Sequence, residues 1–135
     1  MADIRQVTDD FAVAPQLDPR DMADVAAQGF KLVINNRPDG EAPGQPTSLE
    51  MQKSVEAAGM AYRHIPVVGS PQPSQVEAVR VAVAEAEGPV LAFCRSGTRS
   101  IVTWSLGETL SGGHSRSELV SLGRAAGYDL APVLG

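Results

Sequence analysis

Short apolar runs alternate with capped amphipathic segments along this chain, and this alternation restricts the fold more than any other feature. Residues 30–36 (FKLVINN) and 89–94 (PVLAFC) have the composition of buried strands. Each run is followed by a polar loop rich in turn-forming residues and then by a helical segment. Strands separated by helices pair in parallel through crossover connections. The sequence therefore predicts a single α/β domain over residues 1–135, in three layers, with a mostly parallel sheet of about five strands flanked by helices.

The helix boundaries follow from capping patterns. Three Ser or Thr residues are followed three positions later by glutamate, which is the pattern of a capping box. These pairs are Thr47 with Glu50, Ser74 with Glu77, and Ser115 with Glu118. Asp18, followed by a proline, predicts an earlier helix start. Residues 3–7 and 11–15 form two further candidate strands joined by a turn, and residues 61–67 form another.

Composition and charge exclude several kinds of partner. The chain has a net charge of −5 and is 4% aromatic, so we expect no nucleic-acid partner. No apolar stretch reaches the length of a membrane span, and we expect no membrane partner. The N-terminus lacks the regions of a signal peptide, and the one cysteine, Cys94, cannot form an internal disulfide or a zinc site with other cysteines. These features predict a cytoplasmic protein without a metal or other cofactor.

The segment CRSGTRS, which begins at Cys94, combines a cysteine with features of an anion-binding loop. Gly97 permits a tight turn, and a helix that begins near Thr98 directs its positive end toward the same point. A cysteine placed there beside an arginine ionises readily, and Arg99 offers two donors to an oxyanion. The predicted anion-binding loop, residues 94–99, is completed by Arg95 and Ser96, and Ser100 could donate to the thiolate. The alternative is that Cys94 is a small buried hydrophobic residue at the end of a strand.

Loops at the carboxyl ends of parallel strands lie at one edge of a sheet, so three loops are expected to meet at Cys94. They are residues 36–41, residues 67–73 and the cysteine loop itself. Arg37, in the first of these, either adds positive charge to the pocket or pairs with Asp39 or Glu41. Asp39 either acts as an auxiliary acid or simply forms a turn with Gly40.

Four segments resemble the bacterial family of beta-lactamase-hydrolase-like, phosphatase-like domains. They are residues 29–41 (GFKLVINNRPDGE), 64–67 (HIPV), 88–100 (GPVLAFCRSGTRS) and 104–108 (WSLGE). The resemblance implies a fold similar to that of the dual-specificity and tyrosine phosphatases. It also implies a link to sulfide oxidation, since some members are fused to a persulfide-dioxygenase-like metallohydrolase domain.

Two departures from tyrosine phosphatases bear on the reaction. Those enzymes place five residues between cysteine and arginine, whereas four separate Cys94 from Arg99, which resembles the loop of rhodanese-type sulfurtransferases. Residues 67–73 (VVGSPQP), where the phosphatases carry a general acid, contain no acidic residue. Loss of a general acid costs about a hundredfold to ten-thousandfold in rate, and sulfur transfer does not need one.

The sequence therefore favours a cysteine-dependent sulfurtransferase that acts through a Cys94 persulfide, with Arg99 holding the oxyanion. The alternative is a phosphatase that hydrolyses phosphomonoesters through a phosphocysteine. The third hypothesis is an inactive module that binds anions or senses oxidants through its thiol. The expected partners are a small sulfur or phosphate oxyanion, a thiol acceptor for the sulfur, or a separate persulfide-dioxygenase-like protein.

Overall fold

A five-stranded sheet forms the centre of the protein, whose computed structural model describes residues 2–135. The strands are β1 Arg5–Gln6, β2 Phe11–Ala14, β3 Leu32–Asn35, β4 Ala61–His64 and β5 Val90–Phe93. Their order across the sheet is β1-β2-β5-β3-β4. The β1–β2 pair is antiparallel and the other three pairs are parallel. The predicted α/β fold with a mostly parallel sheet of about five strands is therefore confirmed.

Six helices within residues 2–135 connect and flank these strands. They are α1 Met22–Ala27, α2 Ser48–Ala57, α3 Pro73–Glu85, α4 Thr98–Ser111, α5 Arg116–Ala126 and α6 Ala131–Leu134. A 3-10 turn, Pro19–Asp21, leads into α1 and is capped by the side chain of Asp18, as predicted. The short α6 was not predicted, although Pro132 lies in its first turn and Asp129 Oδ1 accepts a hydrogen bond from the Ala131 N–H at 3.2 Å. No helix within residues 2–135 combines the length and the apolar character needed to cross a membrane.

Two of the predicted capping boxes are present and one prediction was wrong. Thr47 and Ser115 begin α2 and α5 as expected. Helix α3 instead begins two residues earlier than predicted, after Gln72, whose backbone N–H donates to the Gln75 side chain at 2.8 Å. The cause is Pro73, whose ring presets the backbone angle of the first helical position. Ser74 consequently lies inside the first turn.

Helices cover both faces of the sheet, so each central strand is buried at every position. All residues of β2, β3 and β5 are buried, which explains their continuous apolar character. On one face they pack against residues of α3, α4 and α5, among them Val79, Trp104 and Leu119. On the other face they pack against α1 and α2. Each fully buried large apolar side chain contributes about 1.5–3 kcal/mol to stability.

The parallel strands β2, β5, β3 and β4 all end at the same edge of the sheet. The loops that leave β3, β4 and β5 meet there, as the sequence predicts. The end of β2 also reaches this edge, because the Gln16 N–H donates to the carbonyl oxygen of Arg95 at 3.2 Å. Four loops rather than three therefore surround Cys94.

Candidate active site

Cys94 directly follows β5, and none of its surface is exposed. Its burial follows from the position of β5, which lies between β2 and β3 in the sheet. The backbone N–H of Gly97 donates to the Cys94 sulfur, with 3.1 Å between nitrogen and Sγ. The sulfur therefore lies inside the turn of the loop, where a backbone donor stabilises a negative charge on it.

Gly97 provides the turn that returns the chain to the sulfur. Its φ of +90° lies in the left-handed region that favours glycine, and it is the N-cap residue of α4. A Cβ at this position would overlap the hydroxyl group of Tyr128. Helix α4 then begins at Thr98 as predicted, so the N–H groups of its first turn have no acceptor within the helix and face the loop end.

The remaining members of the loop point in different directions. Arg95, Ser96 and Thr98 are exposed, and the Ser96 hydroxyl donates to Thr98 Oγ1 at 2.9 Å. Ser100 is buried, and its hydroxyl donates to Asn36 Oδ1 at 2.8 Å. The expected hydrogen bond from Ser100 to the thiolate is thus wrong for this structure, because the one hydroxyl proton is given to Asn36.

Arg99 lies at the start of α4 and extends over the loops that follow β3 and β4. Its two terminal nitrogens donate to the two carboxylate oxygens of Glu41, each at 2.8 Å. One of them also donates to the carbonyl oxygen of Val67 at 2.8 Å. The pKa of Arg99 is raised, first by its hydrogen bond with Glu41 and to a smaller degree by its closeness to Cys94. This places a permanent positive charge beside the sulfur.

Glu41 lies between two arginines. Its Oε1 also accepts a hydrogen bond from Nε of Arg37 at 3.0 Å. The hydrogen bond from Arg99 is the largest cause that lowers the pKa of the Glu41 carboxyl from 4.5 to about 2, and Arg37 lowers it further. Glu41 is consequently an anion at neutral pH.

Arg37 is 5% exposed and holds the loop ends together. Besides Glu41, it donates to the side-chain oxygen of Gln16 at 3.0 Å. Its carbonyl oxygen accepts a hydrogen bond from Nε2 of His64 at 2.8 Å. Of the two interpretations left open by the sequence, pairing with a neighbouring acid describes Arg37, and the acid is Glu41.

Asp39 lies on the surface at the start of α2. Its Oδ1 accepts a hydrogen bond from the backbone N–H of Ser48 at 2.8 Å. Ser48 is the first residue of α2, so Asp39 satisfies an N–H that the helix cannot. This contact agrees with the turn-forming interpretation of Asp39.

Sequence reasoning missed Gln16, Asn36 and Tyr128, and noted Glu41 only as a partner for Arg37. The Tyr128 hydroxyl donates to the carbonyl oxygen of Ser96 at 2.9 Å. No sequence motif marks these residues. Gln16, Asn36 and Tyr128 reach the site through hydrogen bonds between residues that lie 21 to 64 positions apart in the chain. Two of these residues directly follow strands or nearly so, Gln16 after β2 and Asn36 after β3, and that position is the signal that could have placed them at this edge of the sheet.

A buried sulfur beside a backbone donor and a guanidinium is suited to nucleophilic attack on an oxyanion. As a thiolate it can attack the central atom of a tetrahedral oxyanion while Arg99 and the loop amides hold the oxygens.

Within residues 2–135, no three His, Cys, Asp or Glu side chains cluster closely enough to hold a metal ion.

Known proteins resemble this chain in both sequence and fold. The beta-lactamase hydrolase-like protein of Agrobacterium fabrum is 41% identical over 93% of the chain, and that of Xylella fastidiosa strain Temecula1 is 37% identical over 94%. The chain spans only 29% and 30% of the lengths of those two proteins.

Two solved structures show the same architecture. A phosphatase-like protein of Neisseria meningitidis Z2491 superposes with a TM-score of 0.85 at 33% identity, covering 97% of this chain and 93% of its own. A kinase-associated phosphatase, with its catalytic cysteine replaced by serine, superposes with a TM-score of 0.75. At 12% identity, over 99% of this chain and 89% of its own, that second likeness concerns the fold alone.

The family model for the phosphatase-like domain of the beta-lactamase hydrolase-like protein matches residues 3–111. That range contains every strand of the sheet and the whole cysteine loop. The chain therefore belongs to the family of beta-lactamase hydrolase-like proteins, as a phosphatase-like domain.

Proposed function

We propose that this chain is a cysteine-dependent phosphatase that hydrolyses phosphomonoesters through a phosphocysteine at Cys94. One observation carries the proposal: the Gly97 N–H lies 3.1 Å from the Cys94 sulfur in a chain of a phosphatase-like family. In this proposal Cys94 is the nucleophile, and Arg99 with the amides of the loop holds the phosphoryl oxygens.

The reaction would proceed in two displacements. The Cys94 thiolate attacks phosphorus, a sulfur–phosphorus bond forms, and the bond to the leaving oxygen breaks with its electron pair. That oxygen takes a proton from water, which is left as hydroxide. A second water then attacks phosphorus and gives a proton to hydroxide, the sulfur–phosphorus bond breaks with its electron pair on sulfur, phosphate departs, and the thiolate is restored. Arg99 stabilises the charge on the phosphoryl oxygens during both steps.

This proposal replaces sulfur transfer, which the sequence favoured. The four-residue spacing between Cys94 and Arg99 and the absence of acid in residues 67–73 still favour sulfur chemistry. The family and the similar structures are phosphatase-like, however, and none of them supports a sulfurtransferase. Sulfur transfer is therefore the second candidate function.

One pair of assays on the protein and on its Cys94→Ser variant separates the candidates. We expect phosphate release from p-nitrophenyl phosphate by the protein, and none above background by the variant. Mass spectrometry of the acid-quenched reaction should show a phosphoryl group on the peptide that contains Cys94. Serine keeps the size of the side chain, so loss of activity in the variant reports on the sulfur.

Two outcomes would overturn the proposal. Thiocyanate formed from thiosulfate and cyanide in a Cys94-dependent reaction, without phosphate release, would establish sulfur transfer instead. The absence of product in both assays, with phosphate binding still measurable by calorimetry, would identify an anion-binding module. A matched control is Ser111→Ala, which removes an exposed hydroxyl at the end of α4 and should leave phosphate release unchanged.

A further inference from the structure

Tyr128 contacts the cysteine loop from a part of the chain outside the family match, which covers residues 3–111. It directly follows the residue that ends α5, Gly127, whose φ is +95°. The Tyr128 N–H donates to the carbonyl oxygen of Gly123 at 2.8 Å, as in a Schellman motif. The end of α5 therefore fixes where the backbone of Tyr128 lies.

The Tyr128 side chain and the Cys94 sulfur form hydrogen bonds with opposite ends of one peptide group, Ser96–Gly97. Its hydroxyl donates to the carbonyl oxygen of Ser96 at 2.9 Å. That carbonyl and the Gly97 N–H belong to the same planar peptide group and point in opposite directions. The Gly97 N–H donates to Cys94 Sγ at 3.1 Å. A rotation of this peptide group would break both hydrogen bonds at once.

Other contacts hold the tyrosine ring in place. The guanidinium carbon of Arg5 lies 5.4 Å from the centre of the ring, and Arg5 Nη1 donates to the carbonyl oxygen of Ala126 at 3.3 Å. Burial raises the pKa of the Tyr128 hydroxyl above its ordinary value of 10, so the group keeps its proton at neutral pH. It is therefore able to donate at neutral pH.

We infer that Tyr128 is a positioning residue for the reaction at Cys94, because its hydroxyl orients the Ser96–Gly97 peptide so that the Gly97 N–H faces the sulfur. Tyr128 acts through that peptide, since its own hydrogen bond is to the Ser96 carbonyl oxygen. The kinetic part of this inference rests on the proposed phosphatase function. The geometric part rests on the two hydrogen bonds alone and can be tested without turnover.

The test compares Tyr128→Phe with Tyr62→Phe, which removes the other tyrosine hydroxyl of the chain. The Tyr62 hydroxyl bonds with Asn35 and Ser48 and has no hydrogen bond to the cysteine loop. In Tyr128→Phe we expect the Gly97 amide resonance to move in a ¹H–¹⁵N spectrum and its hydrogen exchange to accelerate.

In the phosphatase assay kcat should fall about tenfold, the equivalent of one net hydrogen bond, while KM changes less because Arg99 still holds the oxygens. In Tyr62→Phe the Gly97 amide resonance and its exchange rate should stay as in the unmodified chain. An unchanged Gly97 amide resonance and exchange rate in Tyr128→Phe would overturn the inference, even if the chain is a phosphatase. A chain without phosphatase activity would refute the proposed function, while these two measurements would still decide the role of Tyr128.

A second measurement uses the closeness of Gly97 to the hydroxyl. Gly97→Ala strains the backbone at φ +90° whatever residue stands at position 128, and it also places a Cβ against Tyr128. We expect Gly97→Ala to lower the melting temperature less in a Tyr128→Phe background than in the unmodified chain. Equal losses in the two backgrounds would mean that the hydroxyl does not confine this peptide.

Discussion

The carboxylate of Glu41 and the guanidinium of Arg99 meet at two points, with 2.8 Å between nitrogen and oxygen at each. The contact joins the loop after β3 to the start of α4, and its paired geometry fixes the plane of the guanidinium. Arg37, which is buried, shares the same carboxylate. The negative charge of Glu41 is thus shared by two positively charged arginines at the edge of the sheet where Cys94 lies.

Replacement of Glu41 by glutamine should destabilise the protein at neutral pH, because a buried and a half-buried guanidinium lose their counterion. The shift of the Glu41 pKa from 4.5 to about 2 would correspond to about 3 kcal/mol if the carboxyl were fully shielded. Its side chain is 28% exposed, so screening by solvent reduces the expected loss to about 1–2 kcal/mol. Urea unfolding of the protein and of Glu41→Gln at pH 7 measures this loss of stability.

The stability that Glu41→Gln loses should depend on pH. The pKa of Glu41 is lower in the folded protein than in the unfolded chain, so its contribution is complete above about pH 4.5 and is lost as the pH falls toward 2. The difference in stability between the protein and Glu41→Gln should therefore shrink over that interval. Glu87→Gln, at an exposed position, serves as the control and should differ little at any pH. A difference that stays constant down to pH 2 would contradict the ion pair.

Replacement of Arg99 by lysine should remove most of the proposed phosphatase activity while preserving the charge. Arg99 gives three N–H groups to Glu41 and Val67 and keeps two, on Nε and Nη2, for a phosphoryl group. Lysine has one nitrogen and cannot serve both partners. We expect kcat/KM for an aryl phosphate to fall about a hundredfold to a thousandfold. Arg124→Lys, an exposed change on α5, is the matched control. A loss below about threefold in Arg99→Lys would mean that a point charge suffices.

The choice of leaving group should strongly affect the rate, because residues 67–73 contain no acid. Without a donor to the departing oxygen, kcat/KM should drop about a hundredfold or more from p-nitrophenyl phosphate to an alkyl phosphate. Asp39→Asn should leave this dependence unchanged, since Asp39 is used to cap α2. A flat dependence that becomes steep only in Asp39→Asn would identify Asp39 as the acid.

Much of the fold could be predicted from local sequence, and much less of the site. The strands and most helix boundaries follow from apolar runs and caps such as Thr47 with Glu50, because these depend on neighbouring residues. The position of Gly97 before α4 was predictable for the same reason. The contact of Arg99 with Glu41 spans 58 residues, and no local pattern specifies it. Where several acids are available to an arginine, only the packed loops decide between them.

Replacement of Ser100 by alanine should reduce stability more than activity. The Ser100 hydroxyl donates to the buried Asn36 side chain, and its loss would leave Asn36 Oδ1 without that donor, at about 1–3 kcal/mol. Because the hydroxyl proton is already given to Asn36, we expect phosphate release to fall by less than about tenfold. Urea unfolding and aryl phosphate kinetics on the same variant measure the two effects. An intact stability with a hundredfold loss of activity would instead mean that Ser100 turns toward Cys94 during the reaction.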